Sequence, residues 1–482
     1  MGAARLDDQQ RALPRYRAPR RLARTGQGRR PRHLERRPDR PAQLRRADGD
    51  QRHDLLPPQP GPAGLVAARI LPTVRTPSTS NLLPLTALAI AGVAARAQSQ
   101  PVAHLAARIL PADRAPITGG VLVAHRGKIV AIGPRDTTHV PQEATTVDHG
   151  SHWLCPGFVD LHHHVGGGGG DINDMTQPLN AELRTFDLVK PSADLIRRTA
   201  AGGVTTTLFI PGSGTFLSGF GTLLKMRGGG SLAAMIIKEL GAMKVAQGFN
   251  PERYSGDLGQ TRMGSSALLI EQLDRGRDYA RAWRDYEAGN GPRPKLDPAL
   301  EQLRLVFDKK VPVLIHTAGV RDCLATSRMF QQRYDVRMIL SHGSFDGWLA
   351  AEPLARRRTP INLGPRMYQM GRYGQMHGMC KEFWDAGCRD LSINTDAPVI
   401  AAEELQLQAA MAVRLGLPYD AALKAITIVP ARQIGLDDRI GSLTVGKDAD
   451  FLVTRGDPLD PRVPPLKVYI EGELIHSHGD VR

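Results

Sequence analysis

Pro156-Gly157-Phe158-Val159-Asp160-Leu161-His162-His163-His164 decides the fold and the chemistry of this chain. Phe158 and Val159 begin an apolar, strand-forming run that ends in three consecutive histidines. In an extended strand, neighbouring side chains point to opposite faces. His162 and His164 therefore share a face, and His163 points the other way. Two imidazoles at this spacing form a metal clamp, whereas a solvated histidine run would not be led in by buried-type residues.

A site of this kind gathers its other ligands from several strand ends far along the chain. Three later segments have the right form: Val311 to Ile315 leads to His316, Met338 to Leu340 leads through Ser341 to His342, and Leu391 to Asn394 leads through Thr395 to Asp396. Any one of them alone reads as a structural residue. Together they make an ordered series of His-x-His, His, His and Asp, each following a predicted strand. Neutral imidazoles with one carboxylate suit zinc or a similar divalent ion, and a partly filled ligand set leaves room for water.

These residues resemble the amidohydrolase superfamily of metal-dependent hydrolases, in its imidazolonepropionase-like branch. Pro156 to His164 is similar to the family's first-strand motif. His316 matches the fifth-strand ligand, His342 the sixth-strand histidine and Asp396 the eighth-strand aspartate. Gly441-Ser442-Leu443-Thr444-Val445-Gly446-Lys447-Asp448-Ala449-Asp450 is similar to the return into the family's small β domain. The resemblance runs from about Pro101 to the C-terminus and implies an α/β fold: a (β/α)8 TIM-like barrel with a small β-sandwich built from both ends of the folded chain. It also implies a bridging, carboxylated lysine from the fourth strand. Lys244, in Ala242-Met243-Lys244-Val245-Ala246, is the candidate and Lys225 its competitor. Two departures stand out: Gly248-Phe249-Asn250 where relatives carry Gly-Glu-Asn, and His316-Thr317-Ala318 where they carry His-x-His.

The resemblance assigns roles as well. His162, His164 and His316 hold one or two divalent ions, most simply Zn2+, which lower the pKa of water. Asp396 takes the water's proton and returns it to the departing amine. His342 completes a second metal position or donates to the carbonyl oxygen as charge develops. The implied activity is hydrolysis of C–N bonds in amides, cyclic amides, amidines or peptide-like small molecules. The alternatives are deamination by the same parts, or a catalytically silent relative used for binding or assembly. A silent relative should have lost ligands, and this chain keeps the whole series.

Charge is unevenly distributed. The chain of 482 residues has a formal charge of +15, but residues 1–80 hold 18 Arg, no Lys and 7 acidic residues, so the tail accounts for +11. Arg29-Arg30-Pro31-Arg32 and its surroundings lack apolar periodicity and interleaved aromatics. This predicts a disordered Arg-rich tail over 1–80, not a nucleic-acid-binding module. Residues 81–97, from Asn81 to the small-x-small site Ala95-Arg96-Ala97, resemble a secretory signal too short to span a bilayer. They predict export to the periplasm or medium, with no stable membrane anchor. The internal position of this segment suggests an overextended gene start. Residues 98–155 and 436–482 are assigned to the β-sandwich and 156–435 to the barrel; a homo-oligomer stays open. Cys380 and Cys388, the nearest cysteine pair in sequence, would sit about 12 Å apart on a helix, so free, packed thiols are predicted.

Glycine-rich stretches flank the predicted site at Gly166 to Gly170 and at Pro211-Gly212-Ser213-Gly214, without the Lys-Ser/Thr ending of a phosphate loop. Met367, Tyr368, Met370, Tyr373 and Met376 suggest an apolar wall, and Arg321, Arg366 and Arg372 are candidate carboxylate clamps.

Overall fold

A computed structural model describes residues 100–479, except 168, 169, 249, 253–260 and 372. The Arg-rich tail and the signal-like segment lie outside the described residues.

The chain enters through β1 (Val102–Ile109), β2 (Ile117–His125), β3 (Lys128–Pro134), β4 (Thr145–Asp148) and β5 (Trp153–Pro156). A hairpin joins β2 to β3, turning through Arg126 and Gly127, both at positive φ. The barrel follows with β6 (Phe158–His163), β7 (Val204–Phe209), β8 (Leu217–Lys225), β9 (Ile236–Ala246), β10 (Val313–Ala318), β11 (Met338–Ser344) and β12 (Ile361–Leu363). A short hairpin, β13 (Tyr368–Met370) with β14 (Met376–Gly378), precedes the last barrel strand, β15 (Leu391–Ile393). The chain ends in β16 (Phe451–Thr454), β17 (Lys467–Ile470) and β18 (Glu473–Ser477).

Eight strands form the TIM-like barrel sheet in the order β15-β12-β11-β10-β9-β8-β7-β6. A parallel bridge from His163 to Ala397 nearly closes it. The strands are rich in β-branched and apolar residues because both faces are covered, as Val204-Thr205-Thr206-Thr207-Leu208-Phe209, buried throughout, illustrates. Between β6 and β7 a helix spans Asp194–Ala201, with Asp194 in its first turn and Ile196, Thr199 and Ala200 buried.

One expectation fails here. A strict alternation of parallel βα units would make every barrel strand parallel, yet β8 runs antiparallel to both β7 and β9. The segment between β8 and β9 is too short for a crossover; its only helix is the single turn Leu232–Met235. Within β8, Gly219 has φ +107° and a Cβ there would lie 2.5 Å from the Leu183 carbonyl oxygen, so only glycine fits.

Both chain ends do meet, but as one eight-stranded sheet in which β18-β17-β16-β5-β1-β2-β3 are ordered and β4 also pairs β1. Two separately bonded layers are not seen. The reason is that β1 offers one edge to two partners in turn, β4 along Val102 to Leu105 and β5 at Arg108 and Ile109. Apolar clusters cover both faces, Ala103 with Val121 and Val123 on one, and Ile109, Leu122, Leu154 and Phe451 on the other. The Glu471-Gly472 turn joins β17 to β18.

Lys225 lies at the junction of barrel and terminal sheet. It is buried and ion-paired with Asp448 (2.8 Å) and Asp450. That explains the two carboxylates of the Gly446-to-Asp450 motif and removes Lys225 from competition for the metal site. All four cysteines are free and buried.

The terminal sheet also buries His104 against His149, with Nδ1 3.1 Å from the partner's Nε2. Burial, each other's proximity and Lys467 push His104 down to about 3, and burial with Lys467 and His152 pushes His149 to about 4. Below pH 6.5 the unfolded chain takes up protons that the folded one refuses, so stability is lost as pH falls from 6.5 toward 4. At pH 5 the loss is about 2 kcal/mol per imidazole. The double variant His104→Phe, His149→Phe should lose less stability between pH 7 and pH 5 than the wild type in urea unfolding. Equal losses in the two proteins would show that the pair does not set the acid limit.

Candidate metal centre

Six side chains from four barrel strands and the loop after β15 converge at the carboxyl end of the barrel. His162 ends its strand with His163, and His164 follows directly. Lys244 comes from β9, His316 from β10, His342 from β11 and Asp396 from beyond β15. Val159, Leu161, Leu314 and Ile339 precede these residues on their strands, and with Leu208 of β7 they form an inner apolar cluster on the amino-terminal side of the site.

The donors are close-spaced. Ligand atoms of His162, His316 and His342 lie within 4.8 Å of one another, as do those of His162, His164 and Asp396. Asp396 Oδ1 is 3.2 Å from His164 Nε2 and 3.4 Å from His162 Nε2. Atoms bound to one tetrahedral ion at ordinary zinc–ligand lengths are separated by roughly 3.3 Å, so this carboxylate and these imidazoles already have the spacing of a shared ion.

The outer nitrogens fix the tautomers. His164 Nδ1 lies 2.9 Å from the Ile210 carbonyl oxygen and His342 Nδ1 lies 3.2 Å from that of Gly364. A carbonyl only accepts, so each Nδ1 carries the proton and each Nε2 keeps its lone pair. His162 Nδ1 is 2.6 Å from Ser341 Oγ, which donates to Asn362 Oδ1 at 3.3 Å and so accepts from the imidazole. Among the described residues, His342 Nε2 and both ring nitrogens of His316 are buried without a hydrogen-bond partner. Buried lone pairs left unmatched in such a cluster fit a bound cation.

Charge balance points the same way. Burial, then Lys244 and His342, hold the His162 imidazole well below its usual range; burial, then His342 and Lys244, do the same for His316. Burial takes His342 down to about 4. Lys244 Nζ sits 2.9 Å from His162 Nε2, and burial lowers it to about 7 against the pull of Asp396. Asp396 is pushed up by burial, but His342, His164 and Lys244 outweigh this and leave it lowered. His342 and Asp396 also hold left-handed backbone, at φ +70° and +50°, conformations that cost non-glycine residues energy and cluster where function demands a side-chain direction.

His163 points elsewhere, with Nδ1 3.0 Å from the Val165 carbonyl oxygen. The pleat is not ideal, since β6 has register shifts between Asp160 and His163. The sequence reading passed over Asp160 and Ser341. Asp160 is fully buried, accepts from the His162 amide (3.1 Å) and from Thr395 Oγ1 (2.5 Å), and is raised to about 7 by burial. It ties the first strand to the loop that carries Asp396. Its spacing two before His162 and four before His164 was the available signal.

Glycines beside the site serve close packing. A Cβ at Gly167 would strike the Leu188 carbonyl oxygen. Met367 is buried, while Met370, Tyr373 and Met376 are exposed on the β13–β14 hairpin. That hairpin leans on the loop after β11 through stacking of His377 on Trp348, centroids 4.5 Å apart. Arg321 and Arg366 are exposed, neither hydrogen-bonded to the cluster, and Arg372 lies outside the described residues.

The Amidohydrolase family model matches residues 379–475. The amidohydrolase tasK of Hapsidospora irregularis is 29% identical over 388 residues, 73% of this chain but 39% of that protein. The chain thus spans about two fifths of this relative's length. The imidazolonepropionase of Rhizobium rhizogenes is 23% identical over 368 residues, covering 69% of this chain and 86% of its own. A crystal structure of an amidohydrolase from Thermotoga maritima MSB8 superposes with a TM-score of 0.71 at 27% identity, covering 78% of this chain and 100% of that one. With the barrel and the convergent histidines, these likenesses all run to proteins of the amidohydrolase superfamily.

Proposed function

We propose that the protein is a metal-dependent hydrolase that cleaves C–N bonds of small amides, cyclic amides, amidines or peptide-like molecules. The observation that carries this reading is the set of buried imidazoles with Nε2 lone pairs facing one carboxylate. His162, His164, His316 and Asp396 would hold one or two divalent ions, zinc being the best match to this nitrogen-rich set, with His342 completing a second position. When bound, such an ion supplies Lewis acidity and acidifies water at neutral pH.

The chain's own groups do the rest. Asp396, ionised at neutral pH, accepts a proton from the attacking water and delivers it to the departing nitrogen. His342, if not ligating, donates to the carbonyl oxygen as negative charge develops there. Lys244 is fully buried, and burial lowers it to about 7, so a neutral fraction is present at neutral pH, which suits reaction with carbon dioxide to a carbamate, the lost proton leaving to solvent. Phe345 and Val399, each three residues beyond a site residue, and Tyr373 on the hairpin are exposed. A mouth rimmed by them would be apolar, so substrates with apolar substituents come first in a screen. We further propose that residues 81–97 direct export.

The test is metal analysis of the purified full chain together with a screen over acylated amino acids, dipeptides and cyclic ureides. One or two divalent ions per chain and chelator-sensitive release of amine are expected. A chain that binds no divalent ion and turns over nothing would favour the silent, binding-only relative.

A further inference from the structure

One cavity has a lining that includes none of the six site residues. It has a volume of about 510 Å³ and lies between the terminal sheet and the helix Tyr419–Ala425. Leu110, Leu423 and Trp153 give it an apolar body, and Arg108, Tyr419 and Lys424 add polar groups. Its volume lies within the range that holds a small ligand.

Arg108 is the group without an evident purpose. It stands opposite Trp153 in the parallel pairing of β1 with β5, and its guanidinium lies over the indole, 4.8 Å from the ring centroid. That contact covers one face of the guanidinium and uses none of its N–H groups. Arg108 Nε is buried without a hydrogen-bond partner, and Arg108 makes no ion pair among the described residues. Two of the three carboxylates that line the cavity are engaged elsewhere. Asp457 accepts from the Tyr419 hydroxyl and from the Leu459 amide (2.9 Å), and Asp113 is bonded to Arg114 (3.0 Å) and Thr444. An unmatched buried donor costs stability, and its retention beside an aromatic wall and a roomy cavity calls for a ligand that supplies the acceptor.

We propose that this cavity is a second ligand site, taking a small carboxylate with an apolar or aromatic body. The planar fork of arginine matches a carboxylate, and the apolar wall matches the body. Three basic residues, Arg108, Arg114 and Lys424, face three acidic ones, Asp113, Asp420 and Asp457, so the cavity is near neutral overall. A monoanion is accommodated there, and a polyanion is disfavoured.

Benzoate serves as the probe, titrated calorimetrically into the metal-loaded full chain, with neutral benzamide as its counterpart. Benzoate should bind saturably at one site per chain. Benzamide, and benzoate with Arg108→Gln, should each bind about ten- to a hundredfold more weakly, the worth of a charge-assisted hydrogen bond. Binding should survive His162→Ala, which separates this cavity from carboxylate capture at the metal centre. Leu423→Trp, which fills the cavity and leaves Arg108 in the sequence, should abolish binding and keeps the test alive if Arg108→Gln fails to fold. Unchanged affinity in a folded Arg108→Gln or Leu423→Trp protein, loss of binding in His162→Ala, or no saturable heat up to about 10 mM benzoate would each overturn the proposal.

Discussion

Purified His162→Ala or His164→Ala protein should retain little of the divalent metal carried by the wild type, whereas His163→Ala should retain nearly all of it. The first two imidazoles sit within 3.4 Å of Asp396 Oδ1. The third is turned to the Val165 carbonyl, so its loss removes a packing contact and no ligand. Because a divalent ion binds only through several donors at once, deleting one of a small set weakens affinity by orders of magnitude. Ser341→Ala should be milder. It leaves the His162 Nδ1 proton without an acceptor and frees the ring to turn, a change worth about ten- to a hundredfold in affinity for an orienting partner. Metal content per chain by mass spectrometry checks all four proteins. Equal loss from His162→Ala, His163→Ala and His164→Ala would reject the assignment of faces.

Much of this centre is legible in the amino-acid order because strand alternation and strand-end placement are local rules. His162, His164, His316, His342 and Asp396 each follow a short apolar run, and each of those runs is a barrel strand or leads out of one. Lys244 and Lys225 could not be separated that way, since both follow apolar residues. Only tertiary pairing tells them apart, Lys225 with Asp448 and Asp450 and Lys244 with His162. The reversed direction of β8 was likewise hidden. Periodicity carries no information about which way a strand enters its sheet. The terminal sheet was legible as two ends meeting, while its single-layer bonding depends on how β1 divides one edge between β4 and β5. Asp160 was visible at the right spacing and was passed over because a carboxylate flanked by Val159 and Leu161 has no local partner. Its partner, Thr395, lies far along the chain.

Asp396→Asn should lower turnover by a factor of about a hundred to ten thousand while leaving most of the metal in place. The amide matches the carboxylate in volume, and its carbonyl oxygen remains a weak ligand facing His162 and His164. What it loses is basicity. In the wild type His342, His164 and Lys244 together keep Asp396 ionised despite its burial, so it is ready to accept a proton at neutral pH and, once protonated, to give it to the leaving nitrogen. His316→Ala supplies the contrast, since removing a buried imidazole whose two nitrogens have no other partner among the described residues should reduce metal content and activity together. Parallel measurement of metal content and turnover, on any substrate the wild type hydrolyses, therefore separates proton transfer from ligation. Full activity in a metal-replete Asp396→Asn enzyme would remove the carboxylate from the proton-transfer role and leave His342, 3.2 Å from the Gly364 carbonyl and with its Nε2 unpartnered among the described residues, as the base.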